Sequence, residues 1–296
     1  MSRNQADTIL EDAEKLWIAG NRQQAREAYC RARLLYHEAG DAAGEATALT
    51  QFGDIEMESG LLDSAHSAYV EARAMFAHDG DQRQQAGVLV RLGRIAHREG
   101  KLDDAKACYL SAHELYNSAS DFSGLGHVSK RLGHIERDHG RQDVALDHYR
   151  QALSWYRRAN DTLGEANVLR ALAAIHRSLG QIDGARGDYE QALVLFREAG
   201  DALAEAATQL ALGRVLVEGG ERPEAISAFD KARHLFAATG ALHGEAEALT
   251  DLARVIAGEE KHRAHSLLRH AAELFGRAGD AERKAATLTE AAALEG

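Results

Sequence analysis

The sequence predicts an all-α solenoid, a row of about seven helical hairpins closed by one further helix. Three observations carry that prediction. The first is a strict internal period. Ala25, Tyr29, Ala32, Leu35 and Tyr36 return forty residues later as Ala65, Tyr69, Ala72, Met75 and Phe76, and then as Ala105, Tyr109, Ala112, Leu115 and Tyr116. The series continues through Ala145, Tyr149, Ala152, Trp155 and Tyr156, then Ala185, Tyr189, Ala192, Leu195 and Phe196, then Ala225, Phe229, Ala232, Leu235 and Phe236. One residue is lost before the last copy, Ala264, Leu268, Ala271, Leu274 and Phe275. The second observation is the spacing within a copy (i, i+4, i+7, i+10, i+11), which places all five side chains on one stripe of a helix with 3.6 residues per turn. The third is the regular punctuation by glycine in a chain with a single proline.

Each copy has room for two helices. The striped segment is the second; the first is an amphipathic run such as GEANVLRALAAIHRSLG, with its helix spanning about Glu165 to Ser178. Between the two stand Gly20, Gly60, Gly100, Gly140, Gly180 and Gly220, suited to the positive φ that follows a helix end. Pro223 follows one such turn and is expected at the first helical position, where a missing N–H costs nothing. Successive copies are joined by Gly40-Asp41, Gly80-Asp81, Ser120-Asp121, Asn160-Asp161, Gly200-Asp201 and Gly279-Asp280, each a stop followed by an N-capping aspartate. Gly240-Ala241 lacks the aspartate, so a weaker cap is expected there. The hairpins are expected at about 5–40, 41–80, 81–120, 121–160, 161–200, 201–240 and 241–279, within one solenoid domain, 1–296. Residues 281–296 read as a solvating terminal helix, and Asp12, where the next copies have Phe52 and Leu92, as partly solvated. One phase of the first helix is always small (Ala13, Gly53, Gly93, Gly133, Ala173, Gly213, Ala253); it is expected to face the alanines of the second helix and let the backbones approach to about 8 Å. A single hairpin cannot bury both its faces, so stacking on the neighbour supplies the core.

Composition narrows the function. The net charge of −11 argues against a general nucleic-acid or anionic-membrane surface. No apolar run reaches the roughly 18 residues needed to cross a bilayer, and the N-terminal MSRNQADTIL has no apolar core of a secretion signal. Cys30 and Cys108 lie two copies apart and read as free thiols, which fits the cytosol. Arginine outnumbers lysine, a bias that suits a GC-rich bacterial genome.

The order Leu92, Gly93, Gly100, Ala105, Tyr109, Ala112 resembles the tetratricopeptide repeat (TPR), and the forty-residue spacing is similar to the longer subclass of the Pins/LGN adaptors, the Rap-type regulators and kinesin light chains. The resemblance covers nearly the whole chain. It departs in lacking the proline usual at the repeat end and in having mostly aliphatic or polar residues at the first helix's aromatic positions. It implies a right-handed superhelix whose concave face is lined by first helices and receives peptides. By register the groove-facing positions are the second, fifth, ninth, twelfth and thirteenth of each copy, counting Ala6, Ala46, Ala86, Gly126, Ala166, Ala206 and Ala246 as first.

Those positions in copies three to seven hold 8 Arg or Lys against 3 acids. The candidate ligand-binding residues are Arg94, His97, Arg98, His127, Lys130, His134, Arg137, Asn167, Arg170, Arg177, Arg214 and Arg254. A cationic groove in an acidic protein focuses its field on an anionic guest, and guanidinium suits bidentate capture of carboxylate or phosphate. The competing reading is that these arginines pair with acids inside the solenoid. Copies one and two are acidic on this face, with Trp17 and Met57 as candidate apolar anchors, unless Trp17 and Ile18 simply pack the edge. Asn167 is placed to bond a ligand backbone.

Fifteen histidines raise the question of a metal, but neither His97, His127 and His134 nor His262, His265 and His270 have the spacing of a zinc helix. They read instead as groove polarity titrating near neutral pH. The sequence has no phosphate loop, zinc-protease motif or nucleophile elbow, so neither enzymatic activity nor a cofactor is expected. The leading reading is a scaffold or adaptor that binds an acidic segment of a protein partner, with no membrane role. The alternative is a sensor responding to a signalling peptide or small ligand; Rap-type regulators carry an additional N-terminal bundle for which this length leaves no room. RNA binding in the groove ranks last, for want of aromatics on which bases could stack.

Overall fold

The computed structural model describes residues 3–294, and among them are fifteen α-helices and no strand. The chain falls into two compact units, Met1–Ala159 and Asn160–Gly296. The first holds four hairpins: α1 (Arg3–Ile18) with α2 (Arg22–Ala39), α3 (Ala42–Glu58) with α4 (Leu62–Asp79), α5 (Gln82–Arg98) with α6 (Leu102–Ser118), and α7 (Phe122–Asp138) with α8 (Gln142–Ala159). The second holds α9 (Thr162–Ser178) with α10 (Ile182–Ala199), α11 (Ala202–Glu218) with α12 (Arg222–Thr239), and α13 (Leu242–Ile256) with α14 (Lys261–Arg277), followed by the terminal helix α15 (Ala281–Ala293) packed on α14.

Helix ends follow the punctuation in the sequence. The carboxylates of Asp41, Asp81, Asp121, Asp161, Asp201 and Asp280 each accept a hydrogen bond from the backbone N–H three residues on. Ala241 offers no such bond. Ser120 and Asn160 take the left-handed conformation that glycine holds at the equivalent junctions, with φ of 52° and 54°. Pro223 is the second rather than the first residue of α12, still within the turn whose N–H groups lack helical partners.

The small phase of the first helix meets something other than alanine. A Cβ added at Gly53, Gly93, Gly133 or Gly213 would lie 2.5–2.7 Å from the ring of Tyr69, Tyr109, Tyr149 or Phe229 respectively. The leading aromatic of the stripe thus lies directly against the glycine and closes the hairpin. The trailing aromatic closes the joint to the next copy: Tyr36 lies against Gly44, Tyr116 against Gly124, and Phe236 against Gly244. Within each unit the alternating helices that approach one another are first helices, α5 with α7 and α11 with α13, so first helices form the inner side.

Two measurements check this packing. Gly133→Leu forces a side chain into the Tyr149 ring and should lower stability by about 1–3 kcal/mol or more, read as a fall in the chemical unfolding midpoint. Ala241→Asp supplies the missing cap and should raise stability by about 1 kcal/mol in the same measurement.

Candidate functional site

The inner side carries a ladder that follows from the repeat geometry. The ninth residue of one first helix meets the sixth of the next. Gln51 Nε2 donates to Glu14 at 2.8 Å, and Arg91 forks onto Asp54 at 2.8 and 2.9 Å. In the second unit the polarity reverses: Arg214 donates to Asp251 at 2.6 Å, and Arg254 forks onto Glu290 of α15 at 2.8 and 2.9 Å. A second rung links the twelfth residue to the thirteenth of the next copy, His97 to Asp138 at 2.8 Å and Arg177 to Glu218 at 2.9 Å.

These rungs decide the fate of the candidate cations. Arg177, Arg214 and Arg254 are neutralised by carboxylates of their own unit, Arg214 also reaching Glu247 at 3.1 Å. Arg214, Arg254, Glu247, Asp251 and Glu290 line an open pocket of about 330 Å³ with mixed charge. Arg137 leans on Asp138 at 3.2 Å, and Arg98 donates to the Met57 carbonyl at 3.0 Å. In the second unit these three arginines follow the competing reading of the sequence, in which groove arginines pair with acids inside the solenoid. Arg170 differs: it donates to the Asn167 carbonyl oxygen at 3.0 Å and lies over the Phe196 ring, with no carboxylate partner among the described residues. The Asn167 amide donates to the Leu163 carbonyl of its own helix at 2.8 Å.

Met57 is not an anchor. It is 2 % exposed and belongs to the buried apolar cluster formed by α3, α4 and α5. Trp17 is half-buried against Ala13, Ala25, Tyr29 and Ile55 at the edge of the first unit, and Ile18 beside it is 84 % exposed.

In the first unit Arg94, His127, Lys130 and His134 share the face of α5 and α7 with a residue outside the candidate set, Arg131. Lys130 lies over the Tyr156 ring at 5.9 Å. Burial, reinforced by Arg131, Lys130 and Arg94, holds the His127 imidazole down at about 3. Burial and Arg137 hold His134 at about 4, and its Nδ1 is paired with the Tyr149 hydroxyl at 2.8 Å. Both rings are neutral at pH 7, which corrects the expectation that they titrate near neutrality. Among the described residues no three potential metal ligands converge. Burial pushes the Cys30 and Cys108 thiols up, which leaves both in the less nucleophilic protonated form.

The chain belongs to the tetratricopeptide-repeat family, whose pattern matches residues 84–158 and 164–238. Its fold is similar to that of BtubC from P. vanneervenii, at 20% identity and a TM-score of 0.63 over 79% of this chain and 92% of that one. It is also similar to a signal transduction ATPase with numerous domains and a tetratricopeptide repeat sensor from Pyrococcus horikoshii, at 16% identity and a TM-score of 0.67, over 98% of this chain and 46% of that one. A Rap protein complexed with competence and sporulation factor matches at 14% identity and a TM-score of 0.59, over 99% of this chain and 98% of that one. That last coverage corrects the expectation that a Rap-type layout exceeds the available length. A comparison with curated proteins finds no match. No helix among the described residues is long and apolar enough to cross a membrane.

The buried imidazoles give a pH dependence with a definite sign. An unfolded histidine takes up its proton near pH 6.5, whereas His127 and His134 do so only at about 3 and about 4. The unfolded state therefore binds more protons as pH falls below 6.5, and stability drops across that window, ahead of the main loss from the carboxylates. Unfolding free energies measured between pH 6.5 and 5 should decline, and the decline should be shallower in a His127→Gln, His134→Gln double variant.

Proposed function

We propose that this protein is a regulatory TPR module whose inner face receives a signalling peptide or small ligand. The observation that carries this reading is the correspondence, over nearly the full length of both chains, with a Rap protein complexed with competence and sporulation factor. The repeat sensor of the signal transduction ATPase supports the same class of role. The geometry agrees with it in one respect. Rungs such as Arg177–Glu218 and Arg214–Asp251 are partly exposed ion pairs, individually worth about 0–1 kcal/mol. A ligand that competes for one partner can therefore change how neighbouring hairpins are tied at little cost.

A second reading, an adaptor for an acidic segment of a protein partner, is favoured by the cations left without a carboxylate, Arg94 in the first unit and Arg170 in the second.

A library of short peptides, screened against the whole chain for thermal stabilisation, separates the two. A sensor ligand at one hundred times its Kd should add about 2.7 kcal/mol of stability and change the radius of gyration seen by solution scattering. A saturating binder that leaves scattering unchanged supports the adaptor instead, and a library without a binder removes both. Arg170→Glu should weaken an acidic peptide at least about tenfold, equivalent to about 1.4 kcal/mol, with helicity unchanged; equal affinity would exclude Arg170 from the site.

A further inference from the structure

In the first unit the rung from ninth to sixth position fails at one joint, between the third and fourth hairpins. There the ninth position is Arg94 and the sixth position of the next copy is Arg131, so two cations stand where every neighbouring rung of that unit contains an acid. Both are half-buried. Among the described residues neither meets a carboxylate: Arg131 has only the Nε2 of neutral His127 at 3.4 Å, and Arg94 has no side-chain hydrogen bond. Burial, reinforced by Arg94, pushes the Arg131 guanidinium below its ordinary range, a direction that marks an uncompensated charge.

A buried hydroxyl points into the same joint. In the preceding hairpin the Tyr69 hydroxyl donates to the ninth-position Asp54 at 2.7 Å, and in the following one the Tyr149 hydroxyl pairs with the ninth-position His134 at 2.8 Å. Tyr109 occupies the equivalent place, is 0 % exposed, and has a hydroxyl with no hydrogen-bond partner. The ninth position opposite it is Arg94, which has donors only and cannot take the phenolic proton. A buried polar group left in this state is destabilising, and here it sits beside two guanidinium groups that lack a carboxylate.

We propose that Arg94, Arg131 and the Tyr109 hydroxyl form a site for one oxyanion, a carboxylate or phosphate group of the ligand. Such a group accepts from all three donors at once, and it replaces the carboxylate that the repeat supplies at the Asp54 joint. Neutral His127 holds the Arg131 fork in place without adding charge. The site deepens the function proposed above, on whose inner face it lies, but its chemistry can be tested with no knowledge of the natural ligand.

The test is isothermal titration of the full chain with inorganic phosphate and, separately, with a hexaglutamate peptide, both at matched ionic strength. Wild type should show saturable binding of at least one of them; tighter phosphate binding marks a phosphorylated ligand, tighter peptide binding a carboxylate. Arg131→Gln should weaken that binding at least tenfold and Tyr109→Phe several-fold. Arg94→Asp is the decisive variant, because it installs the missing acid: binding should vanish while the unfolding midpoint rises above wild type. Absence of saturable binding of either probe, or an Arg94→Asp protein that binds as wild type does, would overturn the site. A peptide found in the library screen that binds wild type and Arg94→Asp equally would leave the sensor reading standing and remove this one.

Discussion

The contact on which the rest depends is an aromatic ring lying where a Cβ would otherwise be. At Gly53, Gly93, Gly133 and Gly213 the first helix offers bare backbone, and the ring of the second helix closes onto it. This fixes the distance and rotation of the two helices more tightly than generic apolar packing does. It also decides what the ring carries to the other side. A tyrosine held this way extends its hydroxyl to the inner face at the ninth position of its partner, reaching Asp54 from Tyr69 and His134 from Tyr149. The core and the polar face are thus built by the same side chain, and changing the residue at the ninth position changes what that hydroxyl can do.

The electrostatics of the inner face follow from the same register. Because copies repeat at forty residues, the charge at one position of a helix is always presented to one particular position of the next. In the second unit this yields opposite charges at each occupied rung, Arg214 with Asp251 and Arg254 with Glu290, so the face is polar without being strongly charged. In the first unit the same rule yields acid and cation at Asp54 and Arg91, then cation and cation at Arg94 and Arg131. An acidic protein can therefore hold a concentrated positive field at one joint while most of its arginines are balanced locally.

Much of this was legible in the sequence. The period, the stripe, the capping aspartates and the weak junction at Ala241 came from residue spacing, because each depends on contacts within about a turn of a helix or on a repeated pattern. The pairing state of the groove arginines was not legible from one position class alone. For Arg94, Arg214 and Arg254 it depends on the sixth position, which a groove-facing list of second, fifth, ninth, twelfth and thirteenth residues leaves out, and so Arg91 and Arg131 were missed. A signal for them exists: Asp54 and Arg91, like Arg214 and Asp251, are opposite charges separated by 37 residues, while Arg94 and Arg131 share that separation with like charges. Met57 was misplaced for a different reason. Its residue type fits an anchor and a core equally well, and only its burial distinguishes them.

The reversal of charge order along the ladder has a consequence for assembly. Hairpins cut from one hydrophobic template can dock on the wrong neighbour, a recurrent hazard for repeat proteins as they fold. Here the faces are not interchangeable: a helix bearing Asp54 accepts one bearing Arg91, and a helix bearing Arg214 accepts one bearing Asp251, but exchanging their successors sets acid against acid and base against base. The charged joints therefore act as a polarity key that distinguishes the hairpins bearing them from others of the same hydrophobic template.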